Sequence, residues 1–272
     1  MDKKCVWESG LAAEFWNNGR LPFTVYDVHG HMGYHPQICM SHGTPEKMVR
    51  HLRRSGSKLI FSHHYSLFDN TFSNQQVYDI VKQYPDDLRF YLSIIPHDPE
   101  RIEKDIEMYD QWKPYVCGVK ILAAYHKVKI TDAKFDKILT FANEKKLPVL
   151  FHTWGNSAND GAEPVLELTK RYPDITYLIG HSFYWSPEAV ERVVNESKAK
   201  AYFELTSIPG QEGRIEVLTE IAGGKRILYG TDLPWFDEYQ AIGGVLSARI
   251  SDEDKKAILH DNAVDIFGSD LP

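Results

Sequence analysis

His29 and His31 stand two positions apart in the run Tyr-Asp-Val-His-Gly-His. On a β-strand that spacing puts both imidazoles on one face, where their nitrogens can converge on a single ion. Alone, the pair fits two core histidines with satisfied hydrogen bonds as well as it fits a metal site. His152 ends another apolar run, Leu-Pro-Val-Leu-Phe-His, and Asp232 follows Ile-Leu-Tyr-Gly-Thr. Three imidazoles and one carboxylate suit Zn²⁺ first, and serve Mn, Fe or Co as well. Lys120, His181, Glu204 and the pair His63-His64 end similar runs. His63 reads either as a substrate contact or as a solvated loop residue. Glu204 reads as a partner that orients a ligand imidazole or as a surface carboxylate. Asp27, two residues before His29, orients a ligand or satisfies backbone donors. Aromatic side chains, Trp154 and Trp235 among them, crowd the same stretches and fit a pocket for a ring-bearing substrate or a homodimer contact.

Something must bring positions 29 and 232 together. Eight short β-branched or aromatic runs, at 24–29, 58–63, 89–95, 116–122, 149–152, 176–181, 201–205 and 226–231, alternate with amphipathic stretches of helical period. Strands alternating with helices predict a parallel sheet. Eight such units in 272 residues predict an α/β fold of the (β/α)₈ TIM-barrel kind, a single domain over 23–272. No G-x-G-x-x-G or Walker-type loop follows the first run, as an open doubly wound sheet would ask. Thr44-Pro45, Asp98-Pro99 and Ser186-Pro187 read as helix starts, Thr131-Asp132 opens a helix toward Lys145, and Gly56 closes one. Residues 1–22 are expected to form an N-terminal extension; whether it lays a helix across the barrel's bottom is left open by the sequence. A parallel barrel places its site at the C-terminal ends of its strands. His29, His31, His63, His64, His152 and His181, six of the 12 histidines, fall there with Lys120 and Asp232. A solvated surface histidine has no reason to prefer those positions.

The motifs now line up in order. They are Tyr-Asp-Val-His-Gly-His, then Gly-Val-Lys-Ile, Leu-Pro-Val-Leu-Phe-His-Thr, Leu-Ile-Gly-His and Ile-Leu-Tyr-Gly-Thr-Asp-Leu-Pro-Trp, closed by Ile258-Leu259-His260-Asp261-Asn262-Ala263. Over about residues 24–268 the set resembles the amidohydrolase superfamily. It is most similar to the branch holding metal-dependent hydrolases and decarboxylases related to aminocarboxymuconate semialdehyde decarboxylase. The resemblance implies that His29, His31 and His152 bind the metal, that Asp232 binds it while handling a proton, and that His181 faces the substrate. In some members the lysine matching Lys120 is carboxylated and bridges a second metal; otherwise it meets a substrate carboxylate or pairs with an acid. One metal is the expectation. Leu122-Ala123 stands where many relatives have His-Pro, and Ser182-Phe183-Tyr184-Trp185 replaces a Gly-containing loop; both departures fall on substrate-facing segments.

The reaction expected first is hydrolysis of an amide, ester or lactone bond of a small molecule by metal-activated water, with Asp232 moving the proton and His181 polarising the carbonyl. The alternative is metal-dependent, non-oxidative decarboxylation of an unsaturated or aromatic acid. That reaction asks for a cation at the substrate carboxylate, usually an arginine, and Arg50, Arg53 and Arg54 read as helical rather than strand-end residues. The formal net charge of −7 argues against nucleic-acid or anionic-membrane partners. Three scattered cysteines, no apolar leader and no long apolar run predict a reduced, cytoplasmic protein.

Overall fold

A computed structural model describes residues 9–34, 43–208 and 210–272. Eight parallel strands follow one another in chain order: β1 (Val25–Met32), β2 (Ser57–His63), β3 (Leu88–Ile94), β4 (Val116–Ile121), β5 (Pro148–His152), β6 (Thr176–Gly180), β7 (Ala201–Glu204) and β8 (Ile227–Leu228). Helices alternate with them, as the (β/α)₈ expectation required. The start signals act as read. Pro45–Ser55 begins with Pro at its first turn and ends at Gly56 in the left-handed conformation. In Pro99–Trp112 the Asp98 side chain accepts from Arg101 N, capping the helix. Thr131-Asp132 instead opens a short 3₁₀ turn, Ala133–Phe135, before the helix Asp136–Lys145.

The seam between β8 and β1 closes irregularly. β8 is two residues long, so Asp232 lies four residues beyond it rather than on a strand. Closure runs through Val28 N to Tyr229 O (3.0 Å), Asp232 N to His29 O (2.8 Å) and His31 N to Leu233 O (2.6 Å). Asp27 stitches the rest. Its wholly buried carboxylate accepts from His29 N at 3.0 Å and from Thr231 N at 3.2 Å, and Thr231 Oγ1 also donates to it. Of the two readings of Asp27, satisfaction of backbone donors is what the structure displays.

Two cores result. One lies between the strands and the surrounding helices; the other fills the barrel with Val28, Ile60, Tyr91, Leu150, Leu178 and Leu228. The inner core is covered below by Ala263, Phe267 and Leu271, and Arg89 anchors that segment by donating to Leu271 O. The helix Gly10–Asn18 does not cross the bottom. It packs against the helix Glu238–Ser247, with Phe15 against Tyr239. Cys117 is a buried free thiol, while Cys5 and Cys39 lie outside the described residues. No described helix is long and apolar enough to cross a membrane.

Candidate metal centre

Strict alternation would send Val28 and His29 to opposite faces, yet Val28 is in the inner core and His29 lines the cavity above it. The register slips between Asp27 and Gly30, a bulge that turns both inward. Tyr91 Oη satisfies the displaced carbonyl by donating to Val28 O at 2.9 Å. Beyond the bulge the i, i+2 spacing holds, and the His29 and His31 rings stand 5.4 Å apart. Two glycines make room for His29. A Cβ on Gly180 would sit 3.4 Å from His29 Cε1, and one on Gly230 would meet His29 Cβ at 2.8 Å and the Glu204 carboxylate at 2.0 Å.

His29, His31 and Asp232 each offer one ligand atom, all within 4.8 Å of one another and all from buried residues. Asp232 Oδ1 lies 3.2 Å from Nε2 of both His29 and His31, yet it takes no directed hydrogen bond. Burial pushes the Asp232 carboxyl up, but His29, His181 and His31 outweigh it and hold the group well below the usual carboxylate range. Burial, reinforced by the Lys120 charge, holds the His29 imidazole well below its ordinary value. An ionised carboxylate and a neutral imidazole with converging lone pairs are the forms a divalent metal binds. The donor set therefore fits a metal.

Each of two histidines is aimed by an acid behind it. His29 Nδ1 donates to Glu204 Oε2 at 2.7 Å, leaving Nε2 as the acceptor on the cavity side. His152 Nδ1 pairs in the same way with Asp160 Oδ2 at 3.2 Å. Glu204 is wholly buried, so the surface reading of that residue gives way to the orienting one. It also accepts from His181 N at 3.1 Å and from Thr206 N and Oγ1. Burial still pushes its carboxyl up to about 7. Asp160 carries no signal in the sequence: an acid in Asn-Asp-Gly reads there as a turn, and only folding carries it behind His152. His152 lines the same cavity without joining the close group of three donors.

Lys120 is fully buried, and Nζ lies 2.7 Å from His29 Nε2. Burial brings its amine down to about 8, against the pull of Asp232 and Glu204. His181 does not end β6 as a strand residue. It opens a turn in which His181, Ser182, Phe183 and Tyr184 all have positive φ, at 60°, 46°, 59° and 39°. The left-handed conformation costs L-residues roughly 1–2 kcal/mol each, so the surroundings must impose it. The His181 ring stands 4.8 Å from that of His152 and 5.2 Å from that of His29, and its Nδ1 is buried without a hydrogen-bond partner. Burial drives its pKa down to about 3, keeping it neutral.

A cavity of about 200 Å³ opens onto these groups, walled by Phe68, Leu122, Tyr125, Trp154, Trp235 and Phe236. Trp154 stacks on His152, and Trp235 on His64. His63 stands apart from the cavity, its ring against Phe72 at 3.9 Å; His64 is the one beside the site, 4.9 Å from His31. Lys120 is the one lysine or arginine among the described lining residues. A larger cleft of about 400 Å³, bordered by Gln211, Glu216 and Arg249, lies away from the histidines and gathers no converging donors.

With this geometry in place, the family model described as Amidohydrolase matches residues 26–269. The chain belongs to the amidohydrolase family. Among solved structures it is similar to an uncharacterised TIM-barrel protein from Bordetella bronchiseptica, at 16% identity and TM-score 0.73, covering 91% of this chain and 99% of that one. A dihydroxybenzoic acid decarboxylase from Polaromonas, with bound manganese and 2-nitroresorcinol, superposes at 15% identity and TM-score 0.71 over 90% and 97% of the two chains. A 5-carboxyvanillate decarboxylase from Novosphingobium aromaticivorans, also with manganese, does so at 14% identity and TM-score 0.68 over 90% and 97%. At such identities these likenesses establish the fold. No curated protein matches the chain.

Proposed function

We propose that this amidohydrolase is a metal-dependent, non-oxidative decarboxylase of a small aromatic or unsaturated carboxylic acid. The observation that carries the reading is the cavity: aromatic walls, a volume of about 200 Å³ that suits a single substituted ring, and the buried Lys120 beside the metal donors. Two fold neighbours, decarboxylases of aromatic acids with bound manganese, support it. His29, His31 and Asp232 would hold the ion, with His152 lining the site beside them. When bound, a divalent metal polarises a substrate oxygen and offsets negative charge as it develops.

The chain's own groups account for the rest. Lys120, the one lysine or arginine among the described lining residues, meets the substrate's acidic group where an arginine would be expected. Neutral His181 offers its unpartnered Nδ1 to a substrate hydroxyl. Asp232, held ionised, takes the proton of an acidic hydroxyl as the substrate settles. The bond from carbon to carboxylate then breaks and its electron pair stays on the ring carbon. Asp232 returns the proton there, so the acid yields CO₂ and a C–H bond with no oxidant. Aromatic walls keep bulk water from the reacting carbon.

Hydrolysis is the second reading, favoured by the same ionised Asp232, which would equally take a proton from water. A panel of hydroxylated benzoates and unsaturated acids, with esters and lactones of similar size, separates the two on protein loaded with Mn²⁺ or Zn²⁺. CO₂ release from an acid is expected. Opening of an ester or lactone with no CO₂ from any acid would replace this reading by hydrolysis.

A further inference from the structure

Thr153 follows His152, is wholly buried and points its hydroxyl at the left-handed turn His181–Tyr184. Its Oγ1 donates to Gly180 O at 2.7 Å and accepts from Phe183 N at 2.9 Å, so one atom grips the chain on both sides of His181. Inside the turn, Tyr184 N donates to His181 O at 2.7 Å. Other bonds reach it from outside: Ser182 Oγ to Glu204 O at 2.8 Å, and Gly155 N to Phe183 O at 2.8 Å. No glycine occupies any of the four positions, so the conformation that L-residues avoid is imposed by these contacts rather than chosen locally.

The turn has two consequences at the cavity. It buries the His181 ring between His29 and His152. It also lays the Tyr184 ring flat on Trp154, with centroids 3.7 Å apart and planes 8° apart, and the Arg214 guanidinium stands 5.9 Å from that same Tyr184 ring. Trp154 is the next residue after Thr153 and stacks on His152 at 5.9 Å. A single hydroxyl is thus tied to the histidine that faces the substrate and to the aromatic wall beside it.

We infer that Thr153 is a positioning residue, whose hydroxyl holds residues 181–184 left-handed and thereby sets both His181 and the Trp154–Tyr184 wall. The inference rests on the reading above only in that His181 is taken to face the substrate. A merely structural role would be filled by the threonine's methyl and volume, which valine keeps. The role argued here needs the hydroxyl, which serine keeps.

The test compares Thr153→Val and Thr153→Ser as metal-loaded protein. In Thr153→Val the near-UV circular dichroism of the stacked Trp154–Tyr184 pair should be lost, and kcat should fall at least tenfold with KM and metal content within threefold of wild type. Thr153→Ser should restore both signals to within twofold. Unchanged dichroism in Thr153→Val, or a Thr153→Ser protein as impaired as the valine variant, would overturn the inference. Should Thr153→Val not fold, Thr153→Ala takes its place: it removes the same two bonds, loss of the dichroism is expected, and unchanged dichroism would overturn the inference. Dichroism needs no turnover, so a panel without CO₂ release would sink the decarboxylase reading while this inference still meets its own result.

Discussion

Two layers of side chains fill the barrel, and the same strands supply both. Ile60, Leu150 and Leu178 form part of the lower layer; two residues on, Ser62, His152 and Gly180 belong to the upper one. The lower layer is apolar and close-packed, held by exclusion of water. The upper layer is also buried but made of imidazoles, acids, a serine, one lysine and two glycines. It survives only because many of its polar atoms find partners: Glu204 against His29, Asp160 against His152, Asp27 against the seam. Among the atoms left over are Asp160 Oδ1, behind His152, and Asp232 Oδ1 and His181 Nδ1, from two residues that line the cavity. One layer stores stability, and the other holds reactivity in place.

Three experiments would break or sharpen that contrast. The largest effect is expected in the upper layer. Asp232→Asn keeps the shape but removes the group proposed to carry the proton, so turnover should fall by about 10²–10⁴-fold with some metal still bound. Turnover near wild type in that variant would strike Asp232 from the chemistry. In the lower layer, Leu150→Ala should cost roughly 2–5 kcal/mol in denaturant unfolding while kcat of the folded protein stays within a few-fold. A large loss of kcat at unchanged stability would show that the layers are not separable.

The third compares an imidazole just outside both layers. Burial, with the His31 charge adding to it, holds His63 down to about 4 from an ordinary value of 6.5. The folded protein therefore resists a proton that the unfolded chain accepts, and stability is lost as pH falls through that window. The unfolding free energy of wild type minus that of His63→Asn should drop by up to about 3 kcal/mol between pH 7 and pH 4. A flat difference would mean that burial is not what keeps this ring neutral.

Much of this was legible in the sequence because barrels are periodic. Alternation along the strands, with Pro and Gly at the helix ends, located all eight strands to within a few residues. The top of those strands then collected His29, His31, Lys120, His152 and Glu204. Where the reading fell short, the backbone leaves the regular lattice. Periodicity puts His181 and Asp232 at strand ends, whereas both sit at positive φ beyond the strands. Asp160 gave no signal, since its role depends on a loop folding behind β5. The pair His63-His64 gave no hint of which ring turns toward the site.

By itself, then, the sequence determined the barrel, the order of its strands and the residue types at their upper ends. Hydrophobic periodicity is a local property and survives without knowledge of distant neighbours. The tertiary structure alone decided which donors converge, which acids aim them and how His181 is presented. Those outcomes depend on a bulge in β1, a seam closed by Asp27 and a left-handed turn gripped by Thr153. Each is fixed by hydrogen bonds between segments remote in the chain, and no local pattern records them.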